Sequence, residues 1–425
     1  METVFNHQNI PAHLPKRLTM SFPIWGLFDS DGKGIYADMD RFVCEHKERG
    51  FNCIRLEDGA GLIHDKDGNR LPPVEWGWGF GDRDEFIRQN ICVKGKVDVY
   101  TRLIDLFKAA KKYDIYIVLT SFYYLHTYWY LKDKVLNDSL LAIDPHERYE
   151  RFAKYLHYIL CELEREGLDD RIAFAEIFNE ADGLAFCGGY GNRRNVSDEE
   201  RARFRTEHER AIAFLQAEHP QILFAYDASR PSLDENLAPQ NAQVYNFHSY
   251  FMWSAYSAIQ NDSSWLASER ISVEQLLSMI NYPDLFPDDW KRMITFYGNL
   301  DASKIDEMNK VLTEQFLREL SSHEEKLHKN LASAKYHMDG IYKNCLCACG
   351  EGVSYSGSYA LVWEENCPEY WELLRHTMLE NRRLGLWGSV IRTCCGPEDP
   401  VWNTHPDKLR ELNALFIHGE QNTLA

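Results

Sequence analysis

Ala173-Phe174-Ala175-Glu176-Ile177-Phe178-Asn179-Glu180 decides the reading of this chain. A short, mostly apolar run of this kind reads as a buried strand. It stops at two polar residues, one of them an acid, and a glycine-containing loop, Ala181-Asp182-Gly183, follows. A carboxyl group at the carboxyl end of a buried strand stands where a (β/α)8 barrel carries its working groups. A second such stretch, Cys345-Leu346-Cys347-Ala348-Cys349-Gly350-Glu351-Gly352, places another acid 171 residues further along. Two acids on two strand ends can face each other across one barrel mouth.

Working outward, eight strand-like runs emerge: Arg17–Phe28, Asn52–Glu57, Ile115–Phe122, Ile172–Phe178, Ile222–Asp227, Val244–His248, Cys345–Gly350 and Tyr359–Trp363. Most are followed by helical periodicity. Val99, Leu103, Leu106, Phe107 and Ala110 recur at helical spacing within Asp98–Tyr113. Tyr149, Phe152, Leu156, Ile159, Leu160 and Leu163 do so within His146–Glu166. Asp144-Pro145-His146-Glu147 supplies an N-cap, an N1 proline and an N3 glutamate, and Gly167 ends that helix. Ser197-Asp198-Glu199-Glu200 is a capping box before Arg201–Glu218. Strands alternating with helices argue for parallel strands and crossover connections, here a (β/α)8 barrel. The long stretches Gly59–Val97, with Trp76 and Trp78, and Phe251–Lys343, with a long polar helix around Ser303–Tyr342, follow strands 2 and 6. No repeat or linker divides the chain, so residues 1–425 are expected to form one barrel domain with an elaborated segment at about 251–343.

The chain has 425 residues, 44% of them hydrophobic, and a formal charge of −18. Such an acidic balance repels phosphate backbones and excludes nucleic acid as a partner, while neutral sugars stay compatible. The start, Met1-Glu2-Thr3-Val4-Phe5-Asn6-His7, carries no basic and apolar leader. No apolar run is long enough for a membrane span. Eleven cysteines without an export signal fit reduced thiols in the cytoplasm. Cys345, Cys347 and Cys349 share one strand face, which suits tetrahedral zinc poorly. They read as small thiols packed in the barrel core.

At the strand ends the sequence resembles the clan A glycoside hydrolases, closest to family 5 and the cellulase-like barrels. Glu176-Ile177-Phe178-Asn179-Glu180 resembles that family's fourth strand, and Gly350-Glu351-Gly352 its nucleophile strand. Gly50-Phe51-Asn52-Cys53-Ile54-Arg55-Leu56 resembles the second strand, whose arginine supports the nucleophile. Phe247-His248-Ser249-Tyr250 resembles the His-x-Tyr of strand 6, and Val362-Trp363 the strand 8 tryptophan that floors the sugar site. The motifs fall in the family's order. Two departures stand out: Ala181 replaces the usual proline after Asn-Glu, and Gly352-Val353 replaces the common Phe-Gly pattern.

The resemblance implies a retaining β-glycosidase. Glu180 would be the acid/base and Glu351 the nucleophile. Arg55, Asn179, His248, Tyr250 and Trp363 would line the substrate site. Separately, the lack of an export signal leads to the expectation of a short β-linked oligosaccharide or small glycoside, and the long loops after strands 2 and 6 to that of attack from one end. Two carboxyl groups and a water suffice for this chemistry, so neither a metal nor an organic cofactor is expected. The expected partner is a carbohydrate, with no nucleic acid and no membrane, and the chain is free to form a homo-oligomer.

Each residue also has a plainer reading. Glu180 could cap a helix, Glu351 could be a loop acid, and Arg55 could make a structural ion pair with Glu176. Arg55 is otherwise expected to lower the pKa of Glu351. His248, Tyr250 and Trp363 could be core residues, and the Trp76/Trp78 loop could wall a sugar cleft or pack on its own scaffold. Asp29, Glu57, Asp58, His126, Glu364 and Glu365 lie near strand ends and are weaker candidates for gripping hydroxyls. A non-catalytic sugar-binding barrel is the principal alternative. A metal-dependent barrel hydrolase would need a His-x-His at the end of strand 1, where the chain reads Ser21-Phe22-Pro23-Ile24-Trp25.

Overall fold

Among the described residues, eight of ten strands close into a parallel barrel. In chain order the strands are β1 (Leu18–Ser21), β2 (Cys53–Glu57), β3 (Val74–Trp78), β4 (Val93–Val97), β5 (Tyr116–Thr120), β6 (Ile172–Glu176), β7 (Phe224–Ala228), β8 (Val244–Tyr250), β9 (Leu346–Val353) and β10 (Gly388–Val390). The barrel order is β1-β10-β9-β8-β7-β6-β5-β2, and β3 and β4 form a separate antiparallel pair. The computed structural model describes residues 9–28, 34–78, 93–187, 196–252, 262–270, 272–278, 291, 296, 299–354 and 361–420.

Alternation along each strand sorts the side chains into two environments. Met20, Cys53, Val118, Phe174, Ala225 and Val390 point inward and form the apolar floor of the barrel with Trp387. Ile54, Leu119, Ala175, Tyr226 and Phe247 point outward and pack under the helices. Higher in the barrel the inward positions turn polar: Arg55, Glu176, Asp227 and Asn246 are all buried there. Cys347 and Cys349 belong to the outer cluster, beneath the helix layer, not to the barrel core. Their place on one strand face stands, but the face is the opposite one.

The helices form where the caps direct. Asp98 accepts from Thr101 N at the start of Val99–Tyr113. Asp144 accepts from His146 N, and a single 3-10 turn then leads into Arg148–Arg165. Ser197 accepts from Glu200 N before Asp198–Glu218. The long polar helix after β8 is Ile305–Asp339. Among the described residues no helix is long and apolar enough to cross a membrane.

The eighth barrel strand differs from expectation. It is Gly388–Val390, paired with both β1 and β9. Of the expected Tyr359–Trp363, residues 359 and 360 lie outside the described residues, and 361–363 are loop and turn. Gly388-Ser389-Val390 is too short and too weakly apolar to show a strand period. Its context identifies it: Trp387 donates Nε1–H to Pro15 O and closes the barrel floor beside Phe174.

Candidate active site

The polar layer at the carboxyl ends of the strands is organised around Arg55, which β2 aims inward and leaves fully buried. Its Nη1 donates to Glu351 Oε1 at 2.9 Å. Its Nη2 lies 2.9 Å from Glu176 Oε2, 2.6 Å from Asn179 Oδ1 and 3.2 Å from Asp227 Oδ2. A buried guanidinium is costly without partners. Here one planar fork spans three carboxylates on three strands, a geometry that lysine's point charge cannot copy. The plain Arg55–Glu176 pair and the Arg55–Glu351 contact therefore coexist. Below it, Asn246 donates Nδ2–H to Glu176 Oε1 at 2.7 Å. A side chain at Gly350 would land on that carboxamide, which explains the glycine beside Glu351.

His248 is the second buried cation. A register shift between Phe247 and His248 in the β8–β9 pairing sets His248 opposite Glu351. Its Nδ1 lies 3.0 Å from Glu180 Oε1, and its Nε2 lies 3.1 Å from Asp227 Oδ1 and 3.5 Å from Glu351 Oε1. Burial alone would discharge the ring, but Asp227, Glu351 and Glu180 hold its pKa well above the ordinary value. Burial raises Asp227 in turn, yet His248 and Arg55 outweigh it and hold that carboxyl below its ordinary range.

Glu180 sits in the left-handed region at φ 49°, where a non-glycine residue is strained. Asp227 Oδ2 fastens it there by accepting the Glu180 N–H at 2.7 Å. The backbone turns out of β6 at this point, so the Glu180 carboxyl swings over His248 instead of following the strand. Val353, just past Glu351, is also strained, at φ 61°. Tyr250 donates to Glu351 Oε2 at 2.5 Å, and Thr393, beyond β10, donates to Tyr250 at 3.0 Å.

Burial pushes the Glu351 carboxyl above its ordinary value, against the pull of His248 and Arg55. The expected lowering by Arg55 is thus present as one pull, but desolvation wins. Burial lifts Glu176 to about 7 in the same way. The balance has a simple origin: two cations, Arg55 and His248, face four carboxyl groups, Glu176, Asp227, Glu180 and Glu351. In a low dielectric such a cluster holds on to protons.

Exposure divides the group. Asn179 is 5% exposed, Glu180 8% and Glu351 4%, whereas Arg55 and His248 are at 0%. The first three are the more exposed members of the cluster, and the two cations are fully buried beside them. Ligand atoms of Glu180, His248 and Glu351 lie within 4.8 Å of one another, a spacing a metal ion could use. A doubly protonated imidazole offers no lone pair, however, and Arg55 already occupies Glu351, so the donor set suits proton transfer better than metal binding.

Trp363 is not on a barrel strand. It lies in the turn before the helix Pro368–Leu384, 1% exposed, with its ring against Phe316 and Tyr370. In that packing it presents no face to a sugar. Asp29 lies outside the described residues. Glu57 accepts from Phe122 N and Thr127 Oγ1 and so ties down the segment after β5; burial raises it to about 7. Asp58 accepts from Ala60 N. His126 stacks on Phe122. Glu364 pairs with Arg392, and Glu365 accepts from Thr404. Trp76 packs among Trp25, Phe28 and Tyr130, so it packs on the scaffold; the Trp78 side chain lies outside the described residues.

Asp227, Asn246 and Thr393 were not anticipated. Asp227 ends the expected fifth strand as Glu180 follows the fourth, and Asn246 shares a face with His248 two residues on, so both carried a signal. Thr393 follows a strand whose pattern is invisible in the sequence.

Comparisons with known proteins place the chain in a family. A family model described as "Cellulase-like: Sugar-binding cellulase-like" matches residues 20–377. No curated protein matches the chain. Among solved structures, a candidate glycoside hydrolase from Parabacteroides distasonis superposes with a TM-score of 0.62 at 18% identity, over 94% of this chain and 93% of that one. A broad-specificity endoglucanase of glycoside hydrolase family 5, subfamily 4, from an uncultured bacterium gives a TM-score of 0.49 at 11% identity, over 99% and 97%. A family 5 mannosidase from Rhizomucor miehei gives 0.46 at 12% identity, over 95% and 94%.

Proposed function

Because the chain belongs to the sugar-binding, cellulase-like family, we propose that it is a glycoside hydrolase that cleaves β-glycosidic bonds with retention of configuration. One observation carries the reading: facing oxygens of Glu180 and Glu351 lie within 4.8 Å of each other. Retaining enzymes hold their carboxyl groups about 5 Å apart, whereas inverting ones need about 6.5–9.5 Å to admit a water.

In this reading Glu180 protonates the leaving oxygen while Glu351 attacks the anomeric carbon. Glu180 then takes a proton from water, which releases the sugar from Glu351. Arg55 and Tyr250 orient the two oxygens of Glu351 and stabilise its charge. His248, held between Glu180 and Asp227, donates Nδ1–H to Glu180 and stabilises the carboxylate left when that group gives its proton to the leaving oxygen. Arg55 occupies Asn179 Oδ1, which leaves Nδ2–H as the group that Asn179 would offer to the sugar 2-hydroxyl.

The substrate class is a short β-linked oligosaccharide or small glycoside, cut from one end. The β3–β4 hairpin supports end-on cleavage. It follows β2 and is fastened to the segment after β5 by the Trp76–Leu131 bridge, and in this reading it closes one side of the mouth. The ten described cysteines are free thiols, which supports action in a reducing compartment such as the cytoplasm.

The test is release of nitrophenol from a panel of aryl β-glycosides by wild type and Glu351→Gln, with NMR identification of the first-formed anomer. Turnover by wild type alone, giving the β anomer first, is the expected result. Unchanged turnover in Glu351→Gln would remove the assignment. The family description favours one second reading, a barrel that binds sugar without cutting it. Tight binding of a sugar with no bond cleavage by wild type would establish that instead.

A further inference from the structure

At the amino end of the barrel, opposite the mouth, three potential metal ligands converge on the joint between two helices. His157 and Cys161 stand one turn apart on Arg148–Arg165, on the same face. His219 is the residue that caps Asp198–Glu218, just before the chain turns toward β7. One donor atom from each lies within 4.8 Å of the other two. His157 Nδ1 is 2.9 Å from His219 Nε2, and Cys161 Sγ is 3.8 Å from His157 Nδ1 and 3.7 Å from its Nε2.

The spacing is that of a tetrahedral site. Zinc bonds of about 2.0–2.1 Å to nitrogen and 2.3 Å to sulfur set nitrogens about 3.3 Å apart and nitrogen and sulfur about 3.6 Å apart. Cys161 Sγ now sits equally near both nitrogens of the half-buried His157 ring, and a turn of that ring would bring the three donors onto one ion. The outer partner is already in place. His219 Nδ1 lies 2.6 Å from Glu164 Oε1, and Gln221 Nε2 donates to the same oxygen at 2.6 Å. A carboxylate only accepts, so Nδ1 carries the proton and the Nε2 lone pair of the buried His219 is aimed at His157 and Cys161. A carboxylate–histidine pair of this kind fixes the ring that binds a metal.

We propose that His157, Cys161 and His219 form a binding site for a divalent transition ion of the zinc class, oriented by Glu164 and completed by a water at the solvent edge. Mixed nitrogen and sulfur donors select zinc, cobalt or nickel over magnesium or calcium. The ion would clip Arg148–Arg165 to the end of Asp198–Glu218. Its place at the amino end of the barrel makes it a stability device, separate from the carboxylates at the mouth.

The test is titration of the chelator-stripped, full-length protein with Co2+, followed by absorbance. The expected result is one ion per chain with a near-ultraviolet thiolate-to-cobalt charge-transfer band that Zn2+ displaces. Cys161→Ser should lose the band, and Glu164→Gln should keep it while binding about 10–100-fold more weakly. Cys161 is exposed, so its serine variant should fold, as circular dichroism would verify. Zn2+ should raise the melting temperature of wild type and not of Cys161→Ser. Glu180, His248 and Glu351 contain no sulfur, so the band cannot arise from the mouth. Absence of the band in wild type, or its survival in Cys161→Ser, would overturn the proposal.

Discussion

Arg55→Lys keeps the charge at the centre of the site and removes only the fork. Arg55 Nη1 serves Glu351, and Nη2 serves Glu176, Asn179 and Asp227, from two separate prongs of one planar fork. A single ammonium can serve one side and must abandon the other. A charge-assisted hydrogen bond contributes about 1.5–3 kcal/mol. A buried carboxylate left without its partner costs about 3–5 kcal/mol. The unfolding free energy should therefore fall by about 3–5 kcal/mol, read as a lower urea midpoint by tryptophan fluorescence. If the lysine settles on the Glu176 side, Glu351 loses its orienting donor. A loss of about 3 kcal/mol from the transition state lowers kcat/KM about 100-fold, measured on whichever aryl glycoside wild type hydrolyses. A variant with wild-type midpoint and wild-type kcat/KM would refute the reasoning. A lower midpoint with unchanged kcat/KM would make Arg55 a structural ion pair and nothing more.

Tyr250→Phe deletes the donor to Glu351 Oε2 and leaves the volume intact. At about 1.5–3 kcal/mol for a hydrogen bond to a charged group, kcat/KM should drop about 10–100-fold with little change in melting temperature. Glu398, buried beside Asp399 and Tyr36, has its pKa lifted to about 8 by burial. The folded state thus binds a proton that the unfolded state releases near the ordinary carboxylate value. Stability should decline as pH rises from there to about 8, by up to about 1.4 kcal/mol per pH unit. Glu398→Gln removes that slope, so the variant should gain on wild type across the window. Glu57 and Glu176, lifted to about 7, act in both proteins and cancel in the difference. Parallel stability–pH curves for the two proteins would contradict this.

Much of the barrel was legible because its signals are local. A strand buried on both faces must be apolar along its length, and a helix start must satisfy its own N–H groups. Ile172–Phe178, Asp144-Pro145 and Ser197–Glu200 therefore announce themselves within a few residues. The ends of strands 2, 4, 6 and 7 were legible for a further reason. Charged and amide groups at the end of an apolar run are costly to bury, and the motif order reveals which strands they end.

What the sequence determined by itself was the parallel barrel, its strand-end acids and the Arg55, His248 and Tyr250 positions. What only the tertiary structure decided was closure and partnership. Gly388–Val390 is a strand through its pairing with β1 and β9 on either side, which its own residues do not announce. Trp363, expected to end a strand, packs under two helices instead. The cluster of Arg55, Asp227, His248 and Glu351 draws on four strands far apart in the chain, and its protonation follows from their summed charge and shared burial. No window of sequence contains that sum, because the electrostatic energy of each group depends on neighbours that meet only when the barrel closes.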